Sequence, residues 1–80
     1  MRILVVDDEV RMRKLVRDFL VKSNFDVVEA ENGEQAVEIF FEDKNIDLIV
    51  LDVMMPRMDG IHMVIQLRKE FDFPVLMLSA

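Results

Sequence analysis

Three aspartates stand where short apolar runs stop. Asp7 and Asp8 follow Ile3-Leu4-Val5-Val6, and Asp52 follows Leu48-Ile49-Val50-Leu51. If the two runs are neighbouring strands of a parallel sheet, both end on one edge and the three carboxylates share a pocket. Bare, such a cluster is unfavourable: two like charges about 4 Å apart repel by roughly 4 kcal/mol at an effective dielectric near 20. Either one carboxylate keeps its proton or a cation sits among them. All-oxygen ligands suit Mg²⁺, whereas Zn²⁺ prefers Cys and His. The chain has no cysteine, and its one histidine, His62, falls within an expected helix. A strand-ending Asp also serves as a turn former or helix N-cap, and for Asp8 that reading stands beside the ligand reading.

The elements that would position these acids are legible from periodicity. Ile3 to Val6 is continuously apolar, as in a strand buried on both faces. From about residue 9 to residue 22, Met12, Leu15, Val16, Phe19 and Leu20 recur on one helical face. Arg11, Arg13, Lys14 and Arg17 take the other sides and read as a solvated face. A second strand over residues 25–30 is less apolar and belongs nearer an edge. Asn32 and Gln35 form a capping-box pair for a helix over residues 33–43, with Ala36, Val37, Ile39 and Phe40 inward. Residues 47–52 make a central strand, residues 60–71 a third helix and residues 74–79 a fourth strand. Short strands alternating with helices imply right-handed crossovers and a parallel sheet covered on both sides. The expected fold is therefore α/β with the order β1-α1-β2-α2-β3-α3-β4.

Composition narrows the function classes. Eighty residues make one small domain, which buries only about 60% of its unfolded surface. The formal net charge of −6 argues against a direct grip on nucleic acid by this segment. No apolar run approaches the roughly 20 residues that span a bilayer, and the N-terminus is no secretory signal. A cytoplasmic location fits. Of the seven methionines, Met12 is expected in the helix core and Met77 inside a strand. Met54, Met55 and Met58 belong to the loop after the third strand.

Val5-Val6-Asp7-Asp8-Glu9, Leu51-Asp52-Val53-Met54-Met55-Pro56-Arg57-Met58-Asp59-Gly60 and Leu78-Ser79-Ala80 together resemble the receiver-domain signature of bacterial two-component response regulators. The middle motif is the most specific, and the likeness runs from Met1 to Ala80. It most resembles receivers that precede a winged-helix DNA-binding domain. The resemblance implies a flavodoxin-like, three-layer fold with strand order 2-1-3-4. It implies that Asp52 is the phosphoacceptor and that Asp7, Asp8, Asp52 and the Met54 backbone carbonyl hold Mg²⁺. Ser79 would be the hydroxyl that reports phosphorylation. Pro56 and Gly60 would shape the loop, and the small Ala80 would keep the approach open. A sensor histidine kinase and an output DNA-binding domain are the implied partners.

By the same resemblance, residues 1–80 are a partial receiver domain. The pattern continues past Ala80 with a fourth helix, a fifth strand carrying a phosphate-pairing lysine, and a fifth helix. Two readings follow: a phosphoacceptor signalling module, no enzyme in its own right, whose self-catalysed transfer is expected only in the complete domain; or a non-switching interaction fragment, or one that associates with itself through an exposed fourth strand, inactive in transfer because that lysine is absent. Other chemistries on this topology fit less well. A flavin site wants a Ser/Thr/Gly-rich first loop, and a dinucleotide site wants a glycine-rich one. A dehalogenase-type phosphatase wants an Asp where Met54 stands.

Overall fold

A computed structural model describes residues 1–43, 45–52, 65–66, 68–69 and 74–78. Its elements are β1 (Arg2–Val6), α1 (Val10–Lys22), β2 (Asp26–Ala30), α2 (Gly33–Glu42), β3 (Leu48–Asp52) and β4 (Val75–Leu78). Ile65, Gln66 and Arg68 are helical, inside the expected third helix, whose ends fall outside the described residues. The four strands form one sheet in the order β2-β1-β3-β4, and each neighbouring pair is parallel. This is the receiver-type arrangement, with β2 at one edge.

Alternation along the strands divides the core between the two faces. Leu4, Val6, Ile49 and Leu51 point to one side and are fully buried with Ala30, Ala36, Phe40 and Ile46. Two of these, Ala36 and Phe40, come from the expected inner stripe of α2, and Val37 and Ile39 pack beside them. Ile3, Val5 and Val50 point to the other side, where Val16 and Leu20 of α1 are only partly buried. Fully burying a Leu or Ile side chain stabilises by about 1.5–3 kcal/mol, so among the described residues the α2 face carries the larger share of the hydrophobic stabilisation.

The α1 face departs from expectation. Its periodicity is right, but α1 has no fully buried residue. Met12, Leu15 and Phe19 are exposed, Phe19 by 69%. Met12 is therefore not a core residue. Leu15, Val16, Phe19, Leu20, Val50 and Leu76 line an apolar groove of about 390 Å³ on this side. Periodicity announces an apolar face; it does not supply the element that covers it.

Local chemistry fixes the helix ends. α1 closes in a Schellman turn, with the Phe25 amide donating to the Leu20 carbonyl (3.0 Å) and the Asn24 amide to the Val21 carbonyl (3.0 Å). Asn24 holds the left-handed position at φ 70°, which Asn tolerates better than most residues. Phe25 and Leu20 both pack against the smaller core cluster, the apolar contact that such a turn favours. At the start of α2, Asn32 Oδ1 accepts from the Gln35 amide at 2.7 Å. Gln35 Oε1 reaches back to the Glu31 amide (2.7 Å), one residue before the cap. The expected reciprocal box is thus present in a form shifted by one residue.

Candidate functional site

The first acids sit in a tightly tied turn. The Asp7 amide, one step beyond the end of β1, donates at 3.1 Å to the carbonyl of Ala30, the last residue of β2. Asp7 is 2% exposed. Its Oδ1 accepts from the Glu9 amide at 2.9 Å, an Asx turn that bends the chain from strand into helix. Glu9 then caps α1, accepting from the Met12 amide at 2.7 Å and the Arg11 amide at 3.3 Å. The capping role considered for Asp8 therefore belongs to Glu9. Asp8 is exposed, and no capping contact holds it among the described residues. Two adjacent carboxylates result, one buried and oriented, the other facing solvent.

The sheet carries Asp52 to the same edge. Val6 pairs with Leu51 in the parallel ladder, and the next residues are Asp7 and Asp52. Neighbouring strands lie about 4.8 Å apart, so the two backbones leave the sheet side by side. On its other side Asp52 pairs with Leu78, which precedes Ser79. The Asp52 side chain, Met54, Pro56, Gly60, Ser79 and Ala80 lie outside the described residues, as do Met55, Met58, His62 and the Met77 side chain. Among the described residues no three Asp, Glu, His or Cys side chains form a metal-binding group. The donors that are described, Asp7 and Asp8, are hard oxygens at the end of β1, and they fit a small divalent cation such as Mg²⁺.

Arg13 was not legible as part of this site. Its Nη1 donates to the Asp7 carbonyl at 2.9 Å and its Nε to Glu29 Oε1 at 3.1 Å. Arg17 adds a looser contact, Nε to Glu29 Oε2 at 3.6 Å. Arg11, Lys14 and Arg17 are exposed, as a solvated face requires, but Arg13 is drawn inward, with its side chain 15% exposed. The signal available in the sequence was Glu29, an acid interrupting the apolar run of β2.

Comparisons with known proteins agree with this geometry. The response regulator receiver domain family model matches residues 3–80. The transcriptional regulatory protein ResD of Bacillus subtilis is 48% identical over 79 residues, which are 99% of this chain and 32% of ResD. The chain thus spans about a third of the length of that relative. The response regulator TrrA of Thermotoga maritima, solved in complex with Mg²⁺-BeF, superposes with a TM-score of 0.88 at 40% identity, covering 99% of this chain and 69% of TrrA. TrrA in complex with the histidine kinase ThkA gives 0.87 at 40% identity, covering 99% and 68%. On the parallel 2-1-3-4 sheet, the acidic turn at its edge and a match along nearly its whole length, this chain belongs to the response regulator receiver domain family.

Proposed function

We propose that this chain is the phosphoacceptor module of a two-component response regulator, in which Asp52 takes a phosphoryl group from a sensor histidine kinase and controls a DNA-binding output, transcription being the regulated process. The observation that carries this reading is the register: Asp7 and Asp52 are the next residues after the paired Val6 and Leu51. The complexes of TrrA with a histidine kinase and with Mg²⁺-BeF support the same class of partner and ion here. No described helix is long and apolar enough to cross a membrane, in keeping with a cytoplasmic site of action.

Asp7, Asp8, Asp52 and the Met54 carbonyl would hold Mg²⁺, which when bound neutralises charge on a transferring phosphoryl group. The chain's own part is nucleophilic. An Asp52 carboxylate oxygen attacks phosphorus, an O–P bond forms as the N–P bond of phosphohistidine breaks, and the electron pair returns to the imidazole nitrogen. The Asx turn at Asp7 keeps one carboxylate oriented before any substrate arrives. Ser79, one residue beyond the Leu78 that pairs with Asp52, would donate its hydroxyl to the new phosphoryl oxygens and carry its loop with it. Pro56 and Gly60 would hold the loop after β3, and the small Ala80 would leave room for the donor.

Incubation with acetyl phosphate and Mg²⁺, read by intact mass, tests the proposal. One phosphoryl group is expected on the wild type and none on Asp52→Ala. Equal incorporation by both proteins, or none by either, overturns it.

A second reading, self-association through β4, is favoured by one observation: β4 pairs only with β3 among the described residues, and its Leu76 is 53% exposed. Open apolar edges invite pairing with another chain. Size-exclusion chromatography should then show a dimer that Leu76→Lys dissociates. A stable wild-type monomer removes this reading.

A further inference from the structure

We infer that Arg13 is a positioning residue for the acid pair: it locks the turn bearing Asp7 and Asp8 onto the end of β2, and so sets how tightly that turn takes a divalent cation. This rests on the phosphoacceptor reading of the acids.

The Asp7 backbone is tethered at both polar groups. Its N–H reaches the Ala30 carbonyl directly at 3.1 Å. Its carbonyl reaches the adjacent residue, Glu29, through the Arg13 guanidinium, with donor distances of 2.9 and 3.1 Å. Both tethers therefore end on consecutive residues of β2, Ala30 and Glu29. Because Arg13 lies on the second turn of α1, it also ties the helix to the strand edge.

The residue type matters. A guanidinium has separate donors in a planar fork, so Nε and Nη can serve two acceptors in different directions. A lysine ammonium is a single point and cannot keep that separation. Arg13 is mostly covered, a placement that is costly unless the charge is paired, and Glu29 pairs it. Its hydrogen bond at the turn goes to a main-chain carbonyl, so its effect is to hold shape.

Shape decides affinity because the acids repel one another. A turn free to widen would have to be closed again for each cation bound. A turn held closed in advance spares that ordering cost. Groups that orient metal ligands typically change affinity by about 10- to 100-fold when removed.

The test combines calorimetric Mg²⁺ titration with amide hydrogen exchange of the metal-free protein. Arg13→Met, which keeps the stem, should weaken Mg²⁺ binding about tenfold and speed exchange at Glu9, whose amide donates to Asp7. Arg13→Lys should recover only part of the loss. Glu29→Gln keeps an acceptor but removes the counter-charge, and gives a smaller loss in a protein that needs no change at Arg13. Wild-type affinity and unchanged Glu9 exchange in both Arg13→Met and Glu29→Gln overturn the inference. So does accelerated exchange spread evenly over β1 and β2, which would mark a general structural role. If the wild type itself binds no Mg²⁺, the phosphoacceptor reading fails, and exchange at Glu9 alone decides whether Arg13 holds the turn.

Discussion

Val6 stands directly opposite Leu51 in the ladder between β1 and β3. From that one pairing, the convergence of two acidic strand ends follows without further assumption, because parallel strands leave a sheet on the same edge. The pairing is also well specified. A slip by one residue would turn one strand's pair, Leu4 and Val6 or Ile49 and Leu51, away from the face where all four are buried.

The two acids of the turn should behave differently on neutralisation. Asp8→Asn alters an exposed side chain and should change metal-free stability by no more than about 0.5 kcal/mol. Asp7→Asn keeps an oxygen for the Glu9 amide but alters a side chain that is only 2% exposed, so its effect on metal-free stability should exceed that of Asp8→Asn. Both should lose Mg²⁺ affinity. Urea denaturation in chelator, followed by Mg²⁺ titration, separates the two effects.

Caps on both helices should be measurable in the same way. Glu9→Ala removes the acceptor for two amides at the start of α1 and should cost about 1 kcal/mol. Asn32→Ala should cost a similar amount at α2, and Asn32→Gly only a few tenths of a kcal/mol. Shifts in the urea midpoint at constant slope would report them.

Apolar residues on the two faces should differ sharply. Ile49 is 0% exposed, and Ile49→Ala should cost about 2–5 kcal/mol, much of what a domain this size has to lose. Phe19 is 69% exposed, and Phe19→Ser should stay within about 0.5 kcal/mol. A loss of several kcal/mol at Phe19 in denaturant titrations would mean that the α1 face is covered in solution.

Strand order came with the resemblance to receiver domains, whereas the edge position of β2 and helix limits close to those of α1 and α2 were readable from periodicity and capping residues. The meeting of Asp7 with the β3 end needed one thing more than parallel topology, that β1 and β3 be neighbours, which their ladder supplies. What escaped was anything decided by a third partner. Met12 and Phe19 lie on a correct apolar stripe, yet burial depends on what packs over the stripe. Arg13 looks like its exposed neighbours Arg11 and Lys14 until the fold brings Glu29 beside it. The N-cap passed from Asp8 to Glu9 because the Asx turn at Asp7 delays the helix by one residue.

Arg2 gives the opposite rim of the sheet a different electrical character. Its guanidinium contacts Asp26 at 2.7 Å and Asp43 at 2.6 Å, and its amide donates to Asp47 at 2.8 Å. Three carboxylates there are served by counter-charge and donors that the chain itself carries. β1 thus starts at a rim where one arginine gathers three carboxylates and finishes at one that bears the proposed cation-binding pair, Asp7 and Asp8. Stripping divalent ions should consequently be felt at one pole only: amides of Arg2, Asp26 and Asp47 keep their protection, while those of the turn from Asp7 to Glu9 lose it.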